Sequence, residues 1–253
     1  MAYLDRDGIR IYYEDRGSGP AVLLTHGYSA TCNMWKPQVD ALADRYRFIT
    51  WDMRGHGQTD SPDDASRYSE AVTVADMRAL LDASGVRRAV VGGLSLGGYM
   101  SLAFYRTHPE MVEALLLADT GPGYRNPAAR DGWNQMAQQR AREFEEQGLA
   151  ALGQGSEVRI ALHRSAQGLA HAARGMLAQV DDRVISVLPE VRVPTLVVVG
   201  EQDEPFRAPS DYMAAKVPAA ELVIIPTAGH ASNLDQPDRF NEALSRFLGK
   251  VAG

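Results

Sequence analysis

The feature that most constrains the fold is an alternation of short apolar runs with segments of helical periodicity. The runs are rich in Val, Leu and Ile without alternating polar residues, a pattern typical of parallel strands buried on both faces. They occupy residues 21–25, 47–51, 88–92, 114–118, 195–199 and 222–225. Strands that alternate with helices predict an α/β fold, with a mostly parallel central sheet and helices on both faces.

Two kinds of local pattern complete this prediction. Residues 3–15 have the pattern of a hairpin that turns at Asp7-Gly8. Between and after the apolar runs, further apolar residues recur at helical spacing, which places them in the core. These residues are Val74, Met77 and Leu81, and later Phe240, Leu244, Phe247 and Leu248.

The alternation is interrupted from Gly121 to about Ser186, where the chain is rich in Ala, Gln, Arg and Glu and shows no strand pattern. We therefore predict a core formed by residues 1–121 and 187–253, and a small helical cap, residues 122–186, inserted into it. The cap is expected over the C-terminal edge of the sheet, where open parallel sheets bind ligands. Its apolar residues are candidates to contact a substrate, although each could equally pack helix against helix. They are Trp133, Met136 and Phe144, and also Leu162 and Met176.

Composition excludes several classes of protein. The 253 residues are 45% hydrophobic and 23% charged, which is ordinary for a globular chain. The 26 basic and 32 acidic residues are scattered without a basic stripe, so nucleic acid is not an expected partner. The apolar runs are too short for a membrane span, and the N-terminus does not resemble a signal peptide.

A single cysteine, Cys32, excludes an internal disulfide and any multi-cysteine metal site. A lone thiol fits a reducing compartment, so a cytoplasmic location is expected. The sequence does not indicate an oligomeric state.

The strongest chemical signal is the segment GLSLG at residues 93–97, which matches the G-x-S-x-G pattern. A predicted strand precedes it and a helical pattern follows it. Glycines on both sides of Ser95 would allow a tight strand-to-helix turn, with the serine at the N-terminus of a helix. This context favours a nucleophilic serine.

A serine hydroxyl needs a base, and the base needs an acid that orients it. His230 follows the last apolar run, and Asp203 follows the run before it, so the order is Ser, Asp, His along the chain. Asp119, at the end of the run 114–118, is the alternative acid, and its other interpretation is a turn residue. We favour Asp203.

The tetrahedral intermediate of ester hydrolysis also needs hydrogen-bond donors for its oxyanion. The backbone N–H of Leu96 and that of Tyr28, in the loop after the run 21–25, are the candidates. Gly27 would allow a close approach of this loop.

The remaining histidines are expected to have other roles. His26 is expected to hold its loop in place, and His108 to cap a helix. His163 and His171 fall in the insertion and are expected at the surface or in the cap.

Several segments together resemble the α/β-hydrolase superfamily. They are THGYS (25–29), WDMRGHGQTD (51–60), GGLSLGG (92–98), VVGEQD (198–203) and AGHASNLDQP (228–237). The resemblance implies an α/β-hydrolase fold with a variable cap, a triad of Ser95, Asp203 and His230, and an oxyanion hole from Tyr28 and Leu96. In this family the loop that contains His56 supports the site and is not catalytic.

Within the superfamily, the chain is most similar to the branch of 3-oxoadipate enol-lactonases and small carboxylesterases. This similarity implies a cofactor-free, metal-free serine hydrolase acting on a small ester or lactone. A second hypothesis is a C–C bond hydrolase of ring-cleavage products, with a carboxylate clamp drawn from Arg140, Arg142, Arg164 and Arg174. A third is a ligand receptor with slow turnover, and a fourth is an enzyme that transfers the acyl group to an alcohol.

Overall fold

A computed structural model describes residues 2–252, with the side chain of Ala252 excepted. It has an eight-stranded sheet with the strand order β1-β2-β4-β3-β5-β6-β7-β8. The first two strands form an antiparallel hairpin, β2 pairs antiparallel with β4, and all other neighbours are parallel. The strands are β1 Ala2–Arg6, β2 Ile9–Arg16, β3 Ala21–Thr25, β4 Arg47–Trp51, β5 Ala89–Leu94, β6 Val112–Ala118, β7 Thr195–Gly200 and β8 Ala220–Ile225.

Helices connect the parallel strands. The α-helices are α1 Lys36–Leu42, α2 Glu70–Ala83, α3 Leu96–Thr107, α4 Pro127–Gln147, α5 Ser156–Arg159, α6 Ala166–Ala172, α7 Arg183–Ser186, α8 Glu204–Lys216, α9 Ser232–Asp235 and α10 Pro237–Ala252. Short 3-10 helices occupy Cys32–Trp35, Ala65–Arg67, Pro109–Met111, Gly148–Ala151 and Leu188–Glu190, and a π-helical turn occupies Ala173–Leu177. No helix within residues 2–252 is long and apolar enough to cross a membrane.

Each face of the sheet is covered by its own apolar cluster. On one face, side chains of α2, α3 and α8 pack against alternate strand residues such as Leu23 and Val91. On the other face, α1 and α10 pack against Val22, Leu24 and Val90. Burial on both faces explains why the inner strands are continuously apolar, and it confirms the predicted fold class.

The N-terminal hairpin turns where the sequence predicts. Asp7 and Gly8 have φ angles of 56° and 75°, and two successive positive φ values are the requirement of a type I′ turn. The helical stripes predicted around Met77 and Leu244 are buried in the core.

One strand differs from its prediction. β8 is partly exposed, and Ile224 retains 40% of its surface, because β8 is an edge strand with a single neighbour.

The stretch 122–186 is helical and contains no strand, as the sequence predicts. Helices α4 and α6 pack together around an apolar cluster of their own. Other residues of this stretch, including Ala172 and Ile185, belong to the cluster on the main sheet. The residues 1 and 253 that bound the predicted core lie outside the described part of the chain. The division into core and cap stays a prediction.

Candidate active site

Ser95 lies in the tight turn between β5 and α3, at the C-terminal edge of the sheet. Its backbone angles, φ 56° and ψ −119°, fall in a region that non-glycine residues rarely adopt. The next residue, Leu96, begins α3, so the partly buried serine stands at the N-terminus of that helix. Such strained backbone is held in place by its surroundings and is frequent at active sites.

The turn requires glycine on both sides of Ser95 because the end of β3 passes close to it. A Cβ atom added to Gly97 would collide with the carbonyl oxygen of Thr25, and one added to Gly93 would lie 2.5 Å from the same oxygen. Without side chains at these two positions, β3, β5 and α3 can meet directly behind the serine.

His230 and Asp203 follow the neighbouring strands β8 and β7, and their side chains are hydrogen-bonded. The Nδ1 of His230 lies 2.9 Å from Oδ2 of Asp203. Asp203 is buried, at 4% exposure, whereas the His230 side chain is 34% exposed. Because a carboxylate only accepts, the Nδ1–H of the imidazole donates to it, and Nε2 retains a lone pair.

The pKa of His230 is raised above the ordinary value of histidine. Burial acts to lower this pKa, but the hydrogen bond and charge of Asp203, followed by the charges of Asp119 and Glu157, outweigh it. The ring of Phe206 stacks on the imidazole at 4.9 Å between centroids, which restricts its orientation. Sequence reasoning missed Phe206, since a stacking contact between the first turn of α8 and the loop after β8 leaves no motif.

Asp119, the alternative acid, has different partners. Its buried carboxylate accepts the N–H of Gly200 at 2.8 Å and the hydroxyl of Ser232 at 2.5 Å. Burial raises the pKa of Asp119 to about 7. Asp203 is therefore the carboxylate that the fold joins to His230, while Asp119 ties the end of β7 to α9.

Two backbone N–H groups beside Ser95 have no protein acceptor within residues 2–252, those of Leu96 and Tyr28. Tyr28 lies in the loop after β3, next to Gly27. A Cβ atom added to Gly27 would lie 3.3 Å from that of Ser95, so this loop passes directly beside the serine. Both donors lie beside Ser95, and their role in an oxyanion hole stays a prediction.

A cavity of about 560 Å³ opens over the turn between β5 and α3 that carries Ser95. Ser95 and His230 both line it, although no hydrogen bond joins their side chains in the structure. Contacts between a nucleophile and its base commonly tighten only when substrate binds. Within the described residues, no three His, Cys, Asp or Glu side chains converge as a metal site.

A family model described as the alpha/beta hydrolase family matches residues 22–243, a range that includes Ser95, Asp203 and His230. The chain belongs to the alpha/beta hydrolase family. This finding confirms the family resemblance of the sequence motifs.

Similar proteins include hydrolases of esters and lactones. The chain is 30% identical to a Bacillus subtilis protein assigned by name as a 2-succinyl-6-hydroxy-2,4-cyclohexadiene-1-carboxylate synthase, over 97% of each chain. It is 29% identical to 3-oxoadipate enol-lactonase 1 of Acinetobacter baylyi, over 92% of this chain and 90% of the relative. A thermophilic esterase of Thermogutta terrifontis superposes with a TM-score of 0.84 at 30% identity, over 100% of this chain and 98% of the esterase.

The residues predicted to contact substrate from the insertion divide into two groups. Trp133 and Met136 line the cavity, whereas Phe144 does not. Phe144 is 1% exposed and lies on the face of α4 that carries Ala141, which packs against α6. Its ring lies edge-on to that of Tyr28, at 6.3 Å between centroids, and is not part of the cavity lining.

Two further candidates and the arginines also lie outside the cavity lining. Leu162 is 78% exposed, and Met176 is buried in the main core. Of the arginines considered for a carboxylate clamp, Arg140 pairs with Glu143 and Arg174 with Glu145. None of the four arginines lines the cavity.

Two buried histidines hold the loop after β3 in place. The Nε2 of His26 accepts the N–H of Met53 at 2.9 Å, so its proton is on Nδ1, which donates to the carbonyl of Gly27. The Nε2 of His56 accepts the N–H of Ser29 at 3.2 Å. Burial lowers the pKa of His26 to about 4 and that of His56 well below its ordinary value.

A third histidine, His163, extends these contacts into the helical stretch 122–186. Its Nδ1 accepts the N–H of Gly57 at 3.1 Å, and its Nε2–H donates to the carbonyl of Ser29 at 2.9 Å. The hydroxyl of Tyr28 donates to the carbonyl of Leu169 at 2.8 Å. His163 is thus partly buried between loops rather than free at the surface, and the loop that carries the Tyr28 N–H is hydrogen-bonded to the helical stretch 122–186.

Proposed function

We propose that this protein is a serine hydrolase that cleaves small carboxylic esters or lactones through an acyl-enzyme on Ser95. The observation that carries the proposal is the hydrogen bond between His230 and Asp203, with Ser95 on the wall of the same cavity. The strained serine at a helix N-terminus and the free N–H groups of Tyr28 and Leu96 support it.

Each residue has a defined task in this mechanism. The Nε2 of His230 takes the hydroxyl proton of Ser95 as Oγ attacks the ester carbonyl carbon. The N–H groups of Tyr28 and Leu96 donate to the resulting oxyanion. Asp203 keeps the proton on Nδ1 and stabilises the imidazolium.

When the tetrahedral intermediate collapses, the bond to the leaving oxygen breaks and His230 returns its proton to the alkoxide. A water molecule then gives a proton to Nε2 and attacks the acyl carbon. His230 returns this proton to Oγ as the bond between the acyl carbon and Oγ breaks, which releases the carboxylic acid and restores Ser95.

The direct test is a hydrolysis screen with 4-nitrophenyl esters of increasing chain length, small lactones and enol-lactones. Repeated turnover of at least one class supports the proposal. Turnover only over hours would favour the ligand-receptor hypothesis. Partitioning of the acyl group to an added alcohol would favour acyl transfer. Nothing in the cavity favours the C–C bond hydrolase, because its lining among the described residues contains no arginine.

The proposal extends to the insertion 122–186, which we regard as a cap that selects substrates by size. Trp133 lines the cavity, and its Nε1–H donates to the carbonyl of Leu177 at 2.8 Å, so the ring is fixed. Trp133→Ala should change the preference among ester chain lengths more than the rate with an acetate ester. Equal losses across all chain lengths, with a lower melting temperature, would show that Trp133 only stabilises the fold.

A further inference from the structure

The cavity has a largely apolar wall built mainly from two parts of the chain. Aromatic, aliphatic and proline residues come from the cap and from α8. They are Tyr124, Trp133, Met136, Leu177, Ile185, Pro205, Phe206, Ala208, Pro209 and Tyr212. A substrate that fills this space must bury apolar surface, because few polar partners are available.

The wall offers no positive side chain to a substrate. Among the lining residues within 2–252, none is Lys or Arg, and Glu157 is the charged residue besides the proposed base His230. Glu157 is partly buried at the start of α5, and its charge contributes to raising the pKa of His230. A carboxylate brought into this cavity would lose water, find no cation and approach a like charge.

One uncharged polar group in the wall lacks a partner. Gln179 is 8% exposed, and its Oε1 accepts the N–H of Tyr124 at 3.2 Å. The side chain of Asn134 holds the main chain of Gln179 through both its N–H and its carbonyl, at 2.8 and 2.9 Å. Since Oε1 is already an acceptor, the amide presents Nε2, which has no acceptor within the described residues.

We propose that the cavity selects uncharged, largely apolar esters or lactones, with Glu157 disfavouring anionic substrates and the Nε2 of Gln179 donating to an acceptor atom of the substrate. This inference rests on the proposed function. It separates the hydrolase from two of its relatives, whose names specify a carboxylate and a 3-oxoadipate compound. The Nε2 of Gln179 has no protein acceptor within the described residues, so an acceptor atom of the substrate that meets it gains a hydrogen bond that contributes to binding.

The charge preference is tested with two esters of equal chain length, methyl 4-nitrophenyl adipate and 4-nitrophenyl hydrogen adipate. At a pH where His230 is neutral, the neutral ester should have a kcat/KM at least about tenfold higher. Glu157→Gln should lower the ratio of kcat/KM for the neutral ester to kcat/KM for the anionic ester, and Glu157→Lys should lower this ratio further. The matched control Glu146→Gln, on the exposed face of α4, should leave the ratio unchanged.

Two results would overturn the charge preference: equal kcat/KM values for the two esters, or a ratio that neither substitution of Glu157 changes. Both results require that the adipate esters are turned over. Failure of the proposed function is different, because then the enzyme would turn over none of the adipate and acetate esters.

The role of Gln179 is tested with 4-nitrophenyl hexanoate and analogues in which an ether oxygen replaces one methylene at each position. Rates are divided by the hydroxide-catalysed rate of each ester. In the Gln179→Met variant, kcat/KM should fall about fivefold for the analogue whose ether oxygen meets Nε2. For the hexanoate it should fall less than about twofold. Gln135→Met, at an exposed position of α4, is the control.

Gln179→Glu serves as a second variant if Gln179→Met does not fold. It removes the Nε2 donor but retains an acceptor oxygen for the N–H of Tyr124. Equal losses for the hexanoate and for every analogue in the folded variant would overturn the assignment of Gln179.

Discussion

Histidines occur in two regions at the C-terminal edge of the sheet, and their environments give them opposite properties. His230, after β8, uses Nδ1 for the carboxylate of Asp203 and has no hydrogen-bond partner for Nε2 within the described residues. His26, His56 and His163 use both ring nitrogens for backbone groups of loops. The first region has a ring nitrogen that is available to act as the proposed base, and the second has rings whose two nitrogens both contact the loops that they fix.

The pKa values follow from these partners. The pKa of His230 is raised, since the hydrogen bond and charge of Asp203 outweigh burial. Burial lowers the pKa of all three other histidines. Their backbone partners, and for His26 and His163 also the charge of Asp52, compensate only in part. An adjacent carboxylate and a free nitrogen therefore distinguish the proposed base from a structural histidine better than burial or motif does.

The largest expected effect comes from removing the proposed base. His230→Ala should reduce kcat by about a million-fold, as in comparable serine triads, while the protein keeps its fold. His163→Ala removes two hydrogen bonds to loops, and it should lower the melting temperature while kcat stays within about tenfold. Steady-state kinetics and thermal unfolding of both variants would test this. Similar losses of kcat in the His230→Ala and His163→Ala variants would contradict the proposed difference between the two regions.

The second prediction concerns the two carboxylates. Asp203→Asn should reduce kcat by about 10⁴, because the amide favours the wrong imidazole tautomer. It should also move the acidic limb of kcat/KM to lower pH, since the pKa of His230 loses its main support. Asp119→Asn is the matched control and should cost far less activity, because Asp119 contacts Gly200 and Ser232. The reverse order of losses would make Asp119 the orienting acid.

The smallest effect is a change in how stability depends on pH. The pKa of His26 is about 4 in the folded protein and about 6.5 in an unfolded chain. As the pH falls, the unfolded state binds the proton first, so the stability that neutral His26 contributes is lost between these values. Complete loss corresponds to about 3 kcal/mol.

His26→Asn removes this titration. The stability difference between wild type and variant, measured by urea unfolding, should therefore shrink from pH 7 to pH 4.5. The raised pKa of Asp119 acts in the opposite direction, but it is present in both proteins and cancels in the difference. A difference that stays constant with pH would mean that His26 is not held neutral by burial.

The strand pattern and the G-x-S-x-G motif predicted most of the fold and the place of Ser95, because both depend on local spacing. The run 195–199 and the residues GEQD that follow it similarly placed Asp203 at the end of β7. Such features can be recognised within a few residues of chain.

Other features depend on contacts between distant segments, and the sequence did not reveal them. His163 contacts Gly57 across 106 positions of the chain. Phe144 and Met136 are both apolar residues of α4, and only the packing of α6 decides which faces the cavity. Gln179 and Glu157 belong to no motif.

Covalent labelling tests the central claim most directly. The protein would be incubated with a 4-nitrophenyl phosphonate, and the modified peptide identified by mass spectrometry alongside the residual esterase activity. The account predicts one adduct per chain, on Oγ of Ser95, formed in step with the loss of activity and absent from Ser95→Ala. An adduct on another residue that accompanies inactivation, or full activity in Ser95→Ala, would contradict it.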